Sequence, residues 1–149
     1  RAPDFEPDED ATGPDALRKS VERLEASTDD FVARESEDRD FHLRLAKATG
    51  NSSLELVVEG LWDQRAELWT RIQRHFHTKD LAERTIRDHA AIVSAVAAHN
   101  PEGARKAMHR HLARVAREFQ RGVDKSAEPR SAGVPRVEGA ARRRKAARP

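Results

Sequence analysis

Apolar residues recur along this chain at three- and four-residue intervals, the period of an amphipathic helix, and no stretch shows the alternation of a strand. The pattern predicts five helices. The first spans about 14–27, with Pro14 at the first helical position and Leu17, Val21 and Leu24 on one side. The second spans about 30–48 and stops at Thr49-Gly50-Asn51, a helix-ending signal. The third, about 53–77, opens on Ser52 and Glu55 at capping-box spacing. The fourth, about 81–99, follows Asp80, with Glu83 three residues on. The fifth, about 101–122, has Asn100 as N-cap and Pro101 in its first turn. Short connections suit antiparallel neighbours, so the fold class is an all-α antiparallel helical bundle.

Each inward stripe can be named. Helix two presents Asp38, Phe41, His42, Leu45 and Ala48. Helix three presents Leu54, Val57, Val58, Leu61, Arg65, Leu68, Trp69, Ile72 and Phe76. Helix four presents Ile86, His89, Val93 and Val96, and helix five Met108, His111, Leu112, Val115 and Phe119. Polar interruptions of these faces are the informative part, because burying a polar group without a partner costs about 1–3 kcal/mol. Asp38 and His42 stack on one face at i, i+4. If helices two, four and five pack around one centre, one carboxylate and three imidazoles converge: Asp38, His42, His89 and His111. Three nitrogens and an oxygen suit zinc, manganese, nickel or ferrous iron, with zinc bonds of about 2.0–2.2 Å. The competing reading is three core histidines satisfied by carbonyls or carboxylates.

The other histidines read as ordinary. His75 and His77 point to different sides near a helix end and meet solvent, His99 sits at a C-terminus, and His109 lies about 200° from His111 and faces outward. Arg65 interrupts its stripe beside Trp69. Either it pairs with a buried carboxylate or snorkels along Trp69, or it clamps a small organic acid next to the metal.

Composition narrows the classes. Of 149 residues, 36% are charged and 37% hydrophobic, with no Cys, so disulfides, thiolate metal sites and cysteine nucleophiles are excluded. No apolar run approaches the roughly 18 residues of a membrane span, and no signal sequence is readable, which favours a cytoplasmic location. The net charge of +2 is unevenly spread. Residues 124–149 hold eight Lys/Arg against three Asp/Glu, leaving 20 basic and 23 acidic residues in 1–123. The pI of about 9.3 therefore belongs to the tail. This organisation predicts an acidic loop over 1–13, a helical domain over 14–122 and a disordered basic tail over 123–149, whose Arg142-Arg143-Arg144-Lys145 run can touch nucleic acid non-specifically.

Three segments carry a family resemblance. The stretch from Asp38 through Phe41-His42, Leu45 and Ala48 to Gly50-Asn51 resembles the D-x-x-F-H signature of the FCD domain, the effector-binding half of FadR-type regulators in the GntR superfamily. Asp88-His89-Ala-Ala-Ile92-Val-Ser-Ala95 resembles its E-H-x-x-I-x-x-A segment, with Asp for the commoner Glu, and Ala104 through Ala107-Met108 to His111-Leu112 resembles its A-x-x-A-M-x-x-H-L segment. The resemblance covers about 14–121. It implies metal ligation by Asp38, His42, His89 and His111, an effector site for a small carboxylate that takes in Arg65 and Trp69, and a homodimer. It also implies a DNA-binding winged helix-turn-helix and a further leading helix, neither of which this sequence contains. The expectation is thus a truncated sensing domain with bundle surface left exposed and DNA reached only through the missing part. Two rivals are a metal-dependent bundle enzyme, for which no H-E-x-x-H motif is apparent and the candidate bases Glu35 and Glu37 read as positions on a solvated face, and a metal-free assembly module.

Overall fold

A computed structural model describes residues 13–127 of the chain. Five helices account for nearly all of them: α1 (Pro14–Ala26), α2 (Phe31–Lys47), α3 (Ser52–Phe76), α4 (Lys79–Ala97) and α5 (Pro101–Ala127). Local chemistry sets their ends. Asp30 caps α2 by accepting from the Ala33 N–H, and Asn51 caps α3 by accepting from the Leu54 N–H. Thr78 caps α4 through the Leu81 N–H, and the Asn100 side chain accepts from the Gly103 N–H at the start of α5. The α3 and α4 starts therefore lie a residue or two before the predicted ones, because Asn51 and Thr78 supply the caps. Gly50 closes the α2–α3 turn at φ +67°, a conformation that glycine adopts without a Cβ clash.

The helices form a closed ring in which α1 packs on α2 and α4, α2 on α3, α3 on α5, and α5 on α4. Leu17 and Val21 of α1, Phe41 of α2, Ile92 and Val93 of α4 and Ala107 of α5 make one buried cluster, flanked by Leu45, Ile86, Val96 and Met108. Burial at about 25 cal/mol per Å² of apolar surface is the main term that holds this ring together. A buried arginine reinforces one end. Arg34 of α2 donates to the Thr28 carbonyl at 3.2 Å and to the Phe76 carbonyl at 2.7 Å, tying α2 to the last turn of α3.

Three expectations are corrected by the packing. The helical domain does not end at 122: α5 runs to Ala127, so residues 123–127 are helix rather than tail. The α3 stripe is not a uniform core face. Ile72 is buried, whereas Leu54, Val57, Leu61 and Leu68 are exposed, as is Leu112 opposite them on α5. Ala48 is exposed too, and Ala46 takes the buried place. The acidic segment 1–12 and the basic segment 128–149 lie outside the described residues. No helix among the described residues is long and apolar enough to cross a membrane.

Candidate metal centre and adjoining cavity

The four residues singled out by stripe position meet inside the ring. Asp38 and His42 come from successive turns of α2, His89 from the middle of α4, and His111 from the first half of α5. Ring centroids are 5.1 Å apart for His42 and His89, 5.3 Å for His42 and His111, and 4.8 Å for His89 and His111. One nitrogen from each of the three histidines falls within 4.8 Å of the other two. Asp38 Oδ1 lies 3.2 Å from His89 Nε2 and 3.6 Å from His42 Nε2. Ligands about 2.0–2.2 Å from a shared ion stand about 2.8–3.6 Å from one another in octahedral to tetrahedral geometry, so these two contacts have the length of a coordination edge.

Hydrogen bonding supports the same assignment. His89 is fully buried and stacks on Phe41 at 4.0 Å, yet neither of its nitrogens has a hydrogen-bond partner, and Asp38 Oδ1 has none either. The 3.2 Å approach of Asp38 to His89 lacks the alignment of a hydrogen bond. Three orphaned polar atoms at one buried point are costly, and a divalent cation is the partner that this donor set suits. Burial holds the His89 pKa well below its ordinary value, with His42 and His111 adding repulsion. Burial also lowers His42 and His111, in each case against the pull of Asp38. All three rings are thus neutral near pH 7, the form in which imidazole ligates a metal.

His111 has an outer partner. Its Nδ1 lies 3.2 Å from Asp88 Oδ2, which also accepts from Arg114 Nε at 2.7 Å, while Arg114 Nη2 donates to Thr85 at 3.1 Å. Such a carboxylate fixes the ring's tautomer and leaves Nε2 to coordinate.

The centre opens onto a cavity of about 550 Å³ between α2, α3 and α5. Asp38, His42 and His111 stand on its wall, with Leu45, Leu54, Val58, Leu61, Trp62, Met108, Leu112, Val115 and Phe119 giving it a mainly apolar lining. Arg65 lines it as well, but its guanidinium pairs with Glu35 of α2 and lies against Trp62, Trp69 and Phe119. The carboxylate-pairing expectation for Arg65 therefore describes its contacts in this structure. Trp69 faces an adjoining, smaller cleft with Phe31, Glu35 and Phe76, and Trp62 is the tryptophan on the larger cavity.

Sequence reasoning missed several of these residues. Glu35 reads as a solvated helix position, yet it is partly buried against Arg65, a partner thirty residues away. Asp88 sits beside His89 in the sequence but serves His111. His75 does not meet solvent: its Nε2 lies 2.8 Å from Glu118 of α5, and both side chains are largely buried. His77 is exposed and its ring packs on Phe31, while His109 faces outward as expected.

The chain is similar to the Uxu operon regulator of Haemophilus influenzae, 37% identical over 101 residues, which are 66% of this chain and 36% of that protein. It is also similar to two Escherichia coli K12 proteins. The Exu regulon transcriptional regulator is 35% identical over 82 residues, 53% of this chain and 31% of the relative. The Uxu operon transcriptional regulator is 33% identical over 97 residues, 64% and 38% of the two chains. The chain thus spans about a third of the length of the curated relatives it matches. No solved structure matches it significantly. The FCD domain profile matches residues 8–114, which takes in all four candidate ligands, and the chain belongs to the FCD domain family.

Proposed function

We propose that this chain is the effector-sensing domain of a GntR-type transcriptional regulator. In this reading Asp38, His42, His89 and His111 hold a zinc, nickel or manganese ion, and a small organic acid enters the adjoining cavity with its carboxylate toward the ion. The observation that carries the reading is a carboxylate and three imidazoles, from three helices, that converge at one point, with Asp38, His42 and His111 on the wall of a mainly apolar cavity. Apolar walls with a few convergent polar groups are the usual make-up of a small-molecule site. The bound ion would supply a Lewis-acid anchor for the acid. The chain's own residues do the rest: the apolar lining selects shape, and Arg65 beside Trp69 offers a second, cationic contact.

The role is sensing rather than catalysis. An acid that contacts α2, α4 and α5 through the metal centre and α3 through the cavity wall favours one packing of the ring over another, and a partner DNA-binding domain reads that difference. A cytoplasmic homodimer goes with this role. The relatives named above are operon and regulon regulators, which supports the assignment of class and leaves the effector to be found.

A thermal-shift screen of small carboxylic acids tests the reading, run on metal-loaded and chelator-treated protein. At least one acid should raise the melting temperature of the loaded protein and leave the chelated protein unmoved. Acids that act equally on both samples, or not at all, would refute it.

A further inference from the structure

Arg65 stands where the larger cavity and the smaller cleft meet, and it lines both. Its guanidinium carbon is 4.0 Å from the Trp69 ring centroid, 4.2 Å from Trp62 and 5.1 Å from Phe119. Rings on several sides strip water from a cation and sharpen its need for an anion. Among the described residues lining the larger cavity, no other guanidinium or ammonium is present. The anion that meets Arg65 is Glu35, whose Oε1 pairs with Nη1 and whose Oε2 lies 3.4 Å from Nη2.

Glu35 is a poor long-term partner. Burial pushes its pKa up to about 7, and the nearby Asp38 charge adds to the rise, even though Arg65 and Arg34 pull the other way. A partly buried carboxylate neutralises a guanidinium that also faces an open cavity. An acid group arriving through that cavity meets the same cation without needing Glu35 to stay charged.

We propose that Glu35 is a built-in stand-in for an acidic group of the effector, and that an effector with two carboxylates displaces it from Arg65. This rests on the sensor reading above and names its ligand class: one carboxylate directed to the metal centre, the second to Arg65. The exchange also has a mechanical consequence. Glu35 belongs to α2 and Arg65 to α3, so the ligand replaces a direct α2–α3 tether with one that runs through itself. Asp38 lies three residues beyond Glu35 on α2, which couples the two anchoring points through a single helical turn.

The assay uses the two tryptophans of the chain, both of which lie against Arg65. Their fluorescence is titrated on metal-loaded wild type, Glu35→Gln and Glu35→Ala with succinate, glutarate and adipate, and with butyrate and hexanoate. Removing the competing charge should tighten at least one dicarboxylate about ten-fold. The monocarboxylates should stay within about two-fold, since an acid that never reaches Arg65 leaves the pair alone. Adding Arg65→Met to Glu35→Gln should abolish the gain. Unchanged or weaker dicarboxylate binding in both Glu35 variants, no dicarboxylate binding at all, or an equal gain for monocarboxylates would overturn the proposal. Elemental analysis of the same samples separates the two readings. Metal without a dicarboxylate gain sinks the exchange alone, and a gain without metal sinks the metal anchor while the exchange stands.

Discussion

Replacing His89 with Ala gives a signature that packing alone cannot produce. His89 is fully buried on Phe41, and both of its nitrogens lack hydrogen-bond partners. Truncating a buried aromatic side chain to Ala costs about 3–5 kcal/mol. Two orphaned polar atoms cost about 2–6 kcal/mol together, which the same substitution removes. Without metal the two terms nearly cancel, and wild type and His89→Ala should unfold within about 2 kcal/mol of each other. Metal at a hundred times its dissociation constant adds about 2.7 kcal/mol to the wild type. At about 2.1 cal/mol/K per residue, the 115 described residues carry an unfolding entropy of about 0.24 kcal/mol/K. The wild type should therefore gain about 11 °C on loading. A site weakened a hundred-fold gains only about 0.4 kcal/mol, or about 2 °C. Calorimetry with chelator and then with zinc, nickel or manganese reads both numbers. A wild type indifferent to metal, with a metal-free variant that loses 3 kcal/mol or more, would make His89 a plain packing residue.

Other consequences are as direct. Asp88→Asn weakens the hold on the His111 ring, so metal affinity should fall about 10- to 100-fold in a competition titration while helix content is unchanged; equal affinity would deny Asp88 its orienting role. Arg34→Met keeps the apolar stem and removes donors to the Thr28 and Phe76 carbonyls, which should cost about 3 kcal/mol in urea unfolding, and a loss below about 1 kcal/mol would show that water replaces them. The chelated protein should destabilise on acidification. Burial lowers His42, His89 and His111 below 6.5, so their contribution is present above that pH and is lost as the pH falls through their folded values. Glu35 opposes them: its carboxyl, raised from 4.5 to about 7, contributes fully below 4.5 and loses that as the pH rises through about 7. With three imidazoles set against one carboxyl, the chelated protein should lose stability as the pH falls below 6.5, and a melting temperature that rises from pH 7 to pH 5 would contradict this.

The helices were legible because their signals are local. Pro14, Gly50, Asn100 and Pro101 act on backbone within a few residues, and all four sit where the helices begin or end. The convergence of Asp38, His42, His89 and His111 was legible for a related reason: a titratable side chain in an apolar stripe must find a partner, whichever helices supply it. Periodicity names a face but not its cover, so Leu61 and Leu112 read as core while standing 60% and 52% exposed at the cavity mouth. Arg65 shows the same limit. Its stripe position demands an anion, but the choice of Glu35 depends on how α2 and α3 pack, and no spacing along the chain encodes that. Glu118 and His75 likewise meet because α5 lies close against α3, with Gly122 where a Cβ would stand 3.2 Å from the Ile72 side chain, and no spacing along the chain encodes that approach.

The central claim is that the four side chains inside the ring hold a metal ion. Elemental analysis of the purified full chain beside its His89→Ala/His111→Ala variant tests it most directly. The account predicts one divalent ion per wild-type chain and none in the variant. Equal metal content in the two proteins, or a wild type with none, would contradict it.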